Sequence, residues 1–237
     1  MERRARSVGV TGALGNLGWK LLLHLAACSG APRLVALDYR EADQARRDAL
    51  RDAANRRQVE IEFVACDLKD WSDMRWRDAF DRVESVVHFA AKNPFPEASW
   101  SDVDASAAMN FNTAHAAADS PTVERYVFAT SNHVMGRYKD RNWEEGTLLP
   151  DLEPGVGTLW HTGQQEMDST IYATAKWAGE RHCQALGQRG DRGGIHGHAP
   201  PGLLETCAYT CTVHGALDTV FRRCVVAVWL DADRRGR

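Results

Sequence analysis

The 237-residue chain has no apolar run of membrane-spanning length, so no transmembrane helix is expected. Its basic start, Met1-Glu-Arg-Arg-Ala-Arg6, has no apolar stretch behind it, which reads against a secretory signal. Charge of one sign is lacking too: the net value of −3 gives no footprint for nucleic acid. Cysteine is modest at six residues, and a reducing cytoplasm is the expected compartment, with Cys28, Cys66 and Cys183 as free thiols. Cys207, Cys211 and His214 match no metal-ligand spacing, so no metal is expected. Lysine is scarce, and none follows Lys176 although arginine continues to the end.

What is present suits one sizeable domain with a real core: 44% of the residues are apolar and 26% charged. Ser7-Val-Gly-Val10 is a short β-prone run. It passes into Thr11-Gly-Ala-Leu-Gly-Asn-Leu-Gly18 and then into the helical pattern from Trp19 to Ala26. Strand, glycine turn and helix is the context of a phosphate loop. Gly12 permits a tight turn, Gly15 lets backbone N–H groups approach a pyrophosphate, and Gly18 lets helix pack closely on strand. The anion would sit at the helix N-terminus, where unpaired N–H groups and the dipole favour it. Leu34-Val-Ala-Leu-Asp38 follows as a second strand, and Asp38 at its end suits the hydroxyls of an adenosine ribose. That favours NAD, while the nearby Arg40, able to neutralise a 2′-phosphate, keeps NADP open.

Residues 41–57 read as a polar, solvent-facing helix, Val59–Cys66 as a third strand and residues 70–82 as another helix. Asp67, at the end of the third strand, suits either the adenine amino group or a helix cap. Ser85–Ala90 is apolar enough to be buried on both faces, and its small end, Ala90-Ala91, lets a backbone touch a cofactor. Residues 102–118 form an Ala-rich helix, and Arg125–Ser131 a fifth strand that ends in hydroxyls. Strands alternating with helices imply a parallel sheet wound on both sides, with ligands at the strand C-termini. Asp38, Asp67, Ala90, Asn93 and Ser131 all fall at such ends.

Asp168-Ser-Thr-Ile-Tyr-Ala-Thr-Ala-Lys176 opens a further helix, with Asp168, Ser169 and Thr170 as candidate caps. Tyr172 and Lys176, four residues apart, share a helix face. A phenol is a poor base at neutral pH, and a neighbouring ammonium favours its phenolate. The pair is a candidate general base for an alcohol proton. Alone, such a pair says little; five residues converging at the strand ends give it weight.

These stretches, with Asp67-Leu68, His88-Phe-Ala-Ala91, Asn110 and Phe128-Ala-Thr-Ser-Asn-His-Val-Met-Gly136, resemble the extended short-chain dehydrogenase/reductase superfamily, its NAD-dependent epimerase/dehydratase group, over roughly residues 7–187. Ser131-Asn132-His133 is similar to the branch of uronate dehydrogenases and related sugar dehydrogenases that oxidise the anomeric carbon to a lactone. The resemblance implies an α/β fold, a Rossmann-type doubly wound parallel sheet with a truncated or atypical C-terminal part. It implies catalysis by Ser131, Tyr172 and Lys176, and substrate contacts from Asn93, Asn132 and His133. Cofactor contacts are implied for Gly12, Ala13, Gly15, Asn16, Leu17, Gly18, Asp38, Asp67, Leu68, Ala90, Ala91, Asn110, Tyr172 and Lys176. Asn110 would support the active-site strand or a relay water. A homodimer through the helices at 102–118 and 171–187 is implied as well.

Two features depart from the family pattern. Ser131 and Tyr172 are unusually far apart, and the segment from Arg141 to Met167 reads as a long irregular loop of the lid or binding type. It carries Trp143, Pro150, Trp160 and His161. Thr113 replaces a glycine on the helix that bears Asn110, a change expected to alter packing but not chemistry. The organisation expected is therefore residues 1–188 as the dinucleotide-binding domain and 189–237 as an atypical tail. Arg189–Gly202 is Gly/Pro-rich where a sixth strand belongs, as a shifted reading frame in an arginine-rich gene would produce, and Phe221–Leu230 offers one strand. Three functions follow as expectations: an NAD-dependent sugar or uronate dehydrogenase, a sugar-nucleotide epimerase or dehydratase, or a dinucleotide-binding protein without turnover.

Overall fold

A computed structural model describes residues 6–28, 32–54, 58–92, 98–140, 152–161, 166–190, 204–208 and 226–230. Five short apolar runs form parallel strands: β1 (Val8–Thr11), β2 (Arg33–Asp38), β3 (Glu60–Ala65), β4 (Ser85–His88) and β5 (Arg125–Phe128). Their order across the sheet is β3-β2-β1-β4-β5. Thr11 pairs with Leu37 on one side and His88 on the other, so the C-terminal ends lie level. The order reverses between β1 and β4, and the crevice above such a reversal is where ligands bind in open α/β sheets.

Helices cover both faces. On one side α1 (Asn16–Cys28) and α2 (Gln44–Ala54) bury Leu22, Ala26, Leu50 and Ala54 against Val10, Leu34 and Ala36. On the other, α3 (Met74–Phe80), α4 (Trp100–Asp119) and the later α5 (Thr170–Gly190) bury Trp76, Phe80, Ala114, Ala117 and Cys183 against Val35, Val86, Tyr126 and Phe128. The helix expected at 41–57 starts later, at Gln44, and Leu50 and Ala54 anchor it despite its polar sequence. The helix expected at 70–82 starts later, at Met74, for a chemical reason. Asp70 accepts from the backbone N–H and hydroxyl of Ser72, and Asp73 caps α3 through Arg75 N. Short acidic side chains thus hold a turn in competition with the helix. α4 opens on a capping box between Ser99 and Asp102.

After β5 comes a 3-10 segment (Asn132–Lys139) capped by Ser131. The stretch expected to be irregular contains an antiparallel hairpin, β6 (Leu159–His161) with β7 (Glu166–Asp168), which leads directly into α5. Trp143 and Pro150 lie outside the described residues. In the tail, β8 (Leu204–Ala208) and β9 (Val226–Leu230) pair antiparallel with each other, and β9 falls within the stretch Phe221–Leu230 expected to offer a strand. Among the described residues no sixth parallel strand joins the sheet, which ends at β5. Nor, among them, is any helix long and apolar enough to cross a membrane.

Candidate active site

The glycine turn closes the top of β1. Gly12 has φ +63°, and a Cβ there would stand 2.8 Å from the backbone N of Ala90. The turn therefore abuts the end of β4 across the point where the sheet order reverses. Gly18 packs so closely that a Cβ would come within 2.3 Å of Gly12 O. Gly15 N donates to Gly12 O at 3.0 Å, and α1 begins at Asn16. The first-turn N–H groups of a helix have no carbonyl partners within it. A cradle this short of Cβ atoms, opening on a helix N-terminus, fits a pyrophosphate. Asn16 and Leu17 are exposed in that first turn, whereas Ala13 is fully buried under it.

Asp38 is 5% exposed and is engaged by the loop itself. One carboxylate oxygen accepts from Leu14 N at 2.9 Å; the other accepts from Arg40 N at 3.2 Å and Arg40 Nε at 3.1 Å. Asp38 thus ties the glycine turn to β2, and its hydrogen bond holds the Arg40 guanidinium above its ordinary pKa. Asp67 is exposed and caps a turn by accepting from Lys69 N at 3.0 Å; the cap of α3 is Asp73 instead. Leu68 is a core residue whose carbonyl accepts from Asn112 Nδ2 at 3.0 Å. Asn93 lies outside the described residues.

Past β5 the chemistry-bearing side chains gather. Lys176 is 5% exposed, and its ammonium donates to Ala129 O at 2.7 Å. It lies 5.8 Å from the centre of the Tyr172 ring and 5.1 Å from that of Phe128. Burial strips it of water and pushes it down to about 8, an effect that Glu180 opposes. Ser131, 9% exposed, follows two residues after Ala129, and its Oγ accepts from His133 N at 3.3 Å. The His133 ring meets the Tyr172 ring edge-on at 5.9 Å. Its Nδ1 shares a 2.8 Å hydrogen bond with Ser169 Oγ. Ser169 Oγ also accepts from Thr158 N at 2.9 Å, while Gly157 N donates to His133 O at 2.9 Å. The strap before β6 is thereby stitched to the segment carrying Asn132 and His133 and to the start of α5. Of the expected caps, Asp168 accepts from Thr170 N at 2.8 Å.

Beneath these groups lies a buried polar web. Thr11 Oγ1 joins His88 Nδ1 at 2.8 Å and accepts from Ala90 N at 3.3 Å. Thr113 Oγ1 reaches Tyr126 OH at 2.8 Å and His88 Nδ1 at 3.3 Å. Asn110 Oδ1 accepts from Tyr126 OH at 3.3 Å and from Cys183 Sγ at 3.8 Å. Asn110 is 2% exposed, which suits the support of β5 rather than contact with a cofactor. Thr113 does more than fill the place of a glycine, since it links α4 to β4 and β5 together. Burial pushes the thiols of Cys66 and Cys183 up to about 12, so both are inert at neutral pH. Among the described residues no group of three or more His, Cys, Asp or Glu could hold a metal ion.

The sequence reading missed Ser169, Thr130 and Glu180 as parts of the site. Glu180 carried a local signal, since it continues the Tyr172–Lys176 stripe by four more residues. Thr130 and Ser169 carried none beyond their places beside Ser131 and at the start of α5.

Comparison with known proteins places this site in context. The chain is 30% identical over 173 residues to the NAD-dependent glucose-6-phosphate dehydrogenase of Haloferax volcanii, covering 72% of this chain and 59% of that protein. It is 30% identical over 151 residues to the L-arabinose 1-dehydrogenase (NAD(P)(+)) of the same organism, covering 62% and 49%. The chain thus spans about half to three-fifths of the length of these curated relatives. Its fold is similar to that of uronate dehydrogenase from Agrobacterium tumefaciens, with TM-score 0.51 and 22% identity over 78% of this chain and 57% of the other. It is likewise similar to UDP-glucose-4-epimerase from Stenotrophomonas maltophila crystallised with NAD, with TM-score 0.57 and 19% identity over 78% and 49%. The model of the NAD dependent epimerase/dehydratase family matches residues 8–197. With its glycine turn, its parallel sheet and its Tyr172–Lys176 helix, the chain belongs to the NAD dependent epimerase/dehydratase family.

Proposed function

We propose that this chain is an NAD-dependent oxidoreductase that oxidises a hydroxyl of a sugar or uronate, at the anomeric carbon to give a lactone. The observation that carries the reading is the gathering of Ser131, Tyr172 and Lys176 around the end of β5, with Lys176 bonded to Ala129 O at 2.7 Å. The names of the two curated relatives, both sugar dehydrogenases, support it.

The glycine turn with Asn16 and Leu17 would hold the pyrophosphate of NAD, Asp38 the adenosine ribose and Lys176 the nicotinamide ribose. Bound there, NAD supplies the acceptor for hydride. Tyr172 takes the proton of the substrate hydroxyl. Lys176 favours the phenolate by charge, in a setting where burial strengthens electrostatic effects. Ser131 donates to the oxygen on which charge develops. Asn132 and His133 bind neighbouring hydroxyls, and the hydrogen bonds of His133 to Ser169 and Gly157 fix its ring and backbone. Arg40, paired with Asp38, leaves room for NADP as a second cofactor. Pairing of two copies through α4 and α5 belongs to the same proposal.

The test is NAD reduction by the purified chain with a panel of aldoses, uronates and sugar nucleotides, with detection of the lactone. NADH and lactone formed together support the reading, and isomerised sugar nucleotide without net NADH would replace it. One observation favours a second reading, a cofactor-binding protein without turnover: among the described residues the parallel sheet ends at β5, and those of the tail form an antiparallel pair, β8 with β9. Firm NADH binding with no product from any sugar would select it.

A further inference from the structure

Glu180 is a half-buried acid that the proton transfer above does not use. It stands one helical turn beyond Lys176, so Tyr172, Lys176 and Glu180 form one stripe along α5. Its Oε1 accepts the hydroxyl of Thr130, the buried residue immediately before Ser131. Lys176 meanwhile donates to Ala129 O. Two successive turns of α5 therefore grip two successive residues at the end of β5, and Ser131 is the next residue along. We propose that Glu180 is a positioning residue, its carboxylate clamped by Thr130 so that it holds the Lys176 ammonium charged and the end of β5 against the Tyr172 helix. The purpose of the clamp rests on the proton-transfer reading; its existence rests on the geometry of α5 and β5 alone.

The surroundings leave this role to Glu180. Facing Lys176 are the Tyr172 ring from its own helix, the Phe128 ring from β5 and His88 from β4. His88 is fully buried and pushed down to about 3, so it brings no charge of its own at neutral pH. Glu180 strengthens the hold of Lys176 on its proton against the burial that weakens it. Around Glu180 itself, burial raises its pKa, while the Thr130 hydroxyl, Arg181 and Lys176 lower it. Cys183, a turn further on, stays a thiol and brings no charge. An acid left there without its hydroxyl partner and its cations would hold a proton and lose its effect on Lys176.

The test is a pH titration of the lysine side-chain methylenes by carbon NMR in the full chain. It has only five lysines, and Lys176→Arg assigns the signal. In Glu180→Gln, which keeps a partner for Thr130 but removes the charge, the Lys176 midpoint falls by about one pH unit, a tenfold loss of proton affinity. The other lysines stay in place. In Thr130→Val the carboxylate remains without its hydrogen bond and keeps its proton to higher pH, so Lys176 moves the same way by less. If Glu180→Gln fails to fold, Thr130→Val decides. A Lys176 midpoint that is unmoved in the folded variants overturns the proposal. The measurement needs no substrate, so it stands or falls separately from sugar oxidation.

Discussion

Tyr172 and Lys176 share a face of α5, and the ammonium lies 5.8 Å from the phenol ring centre. That pair was legible in the sequence because i, i+4 spacing is local. Glu180 was not read and Ser169 was read only as a candidate cap, because the partners that give them meaning, Thr130 and Thr158, sit 50 and 11 residues away. His88 teaches the same lesson. In the sequence it is part of a motif; in the fold it is fully buried, joined to Thr11 and pushed down to about 3 from the usual 6.5, by burial first and Lys176 second. The folded chain keeps His88 neutral, whereas the unfolded chain protonates it. Unfolding therefore takes up a proton as pH falls from 6.5 toward 3, and stability drops. Full titration of one such group is about 1.4 kcal/mol per pH unit. In His88→Phe that contribution is gone. Urea unfolding of parent and variant between these limits is expected to show the neutral-pH stability gap narrowing as acid is added, and a constant gap would refute the assignment.

At the scale of elements, strands were read well because each is a short apolar run flanked by turn residues, and β1 to β5 fall within a few residues of expectation. Helix boundaries were read less well. The start of α3 was obscured by Asp70 and Asp73, whose side chains compete for backbone N–H groups. The β6–β7 hairpin was missed because its strands are three residues each and carry no alternation to detect. Two tight contacts between elements give predictions. A Cβ at Gly18 would lie 2.3 Å from Gly12 O, backbone that cannot yield without opening the turn. Gly18→Ala is expected to cost about 1–3 kcal/mol, with NADH affinity falling about tenfold or more. Fluorescence titration of NADH checks this. A Cβ at Gly179 would lie 2.4 Å from Phe128 Cζ and 3.1 Å from Asn110 Nδ2. Gly179→Ala is expected to force α5 off β5 and to destabilise by about 1–3 kcal/mol, read by thermal or chemical unfolding.

Across the whole molecule, β1 to β5 and their helices bring the glycine turn, Asp38 and the Ser131–Tyr172–Lys176 group to one edge of the sheet, the edge where the strand order reverses. The family match covers residues 8–197, and the chain spans 59% and 49% of its curated relatives. The tail resisted reading because Arg189–Gly202 offers neither apolar periodicity nor a strand-length run. The most direct measurement of the central claim compares parent and Tyr172→Phe side by side, following NADH formation from NAD with aldoses and uronates and NADH binding by fluorescence. NADH formation is expected in the parent with at least one sugar, and a fall of about a hundredfold to ten-thousandfold in the variant, with NADH binding retained. Equal rates in the two proteins, or cofactor binding in the parent with no sugar oxidised, would contradict it.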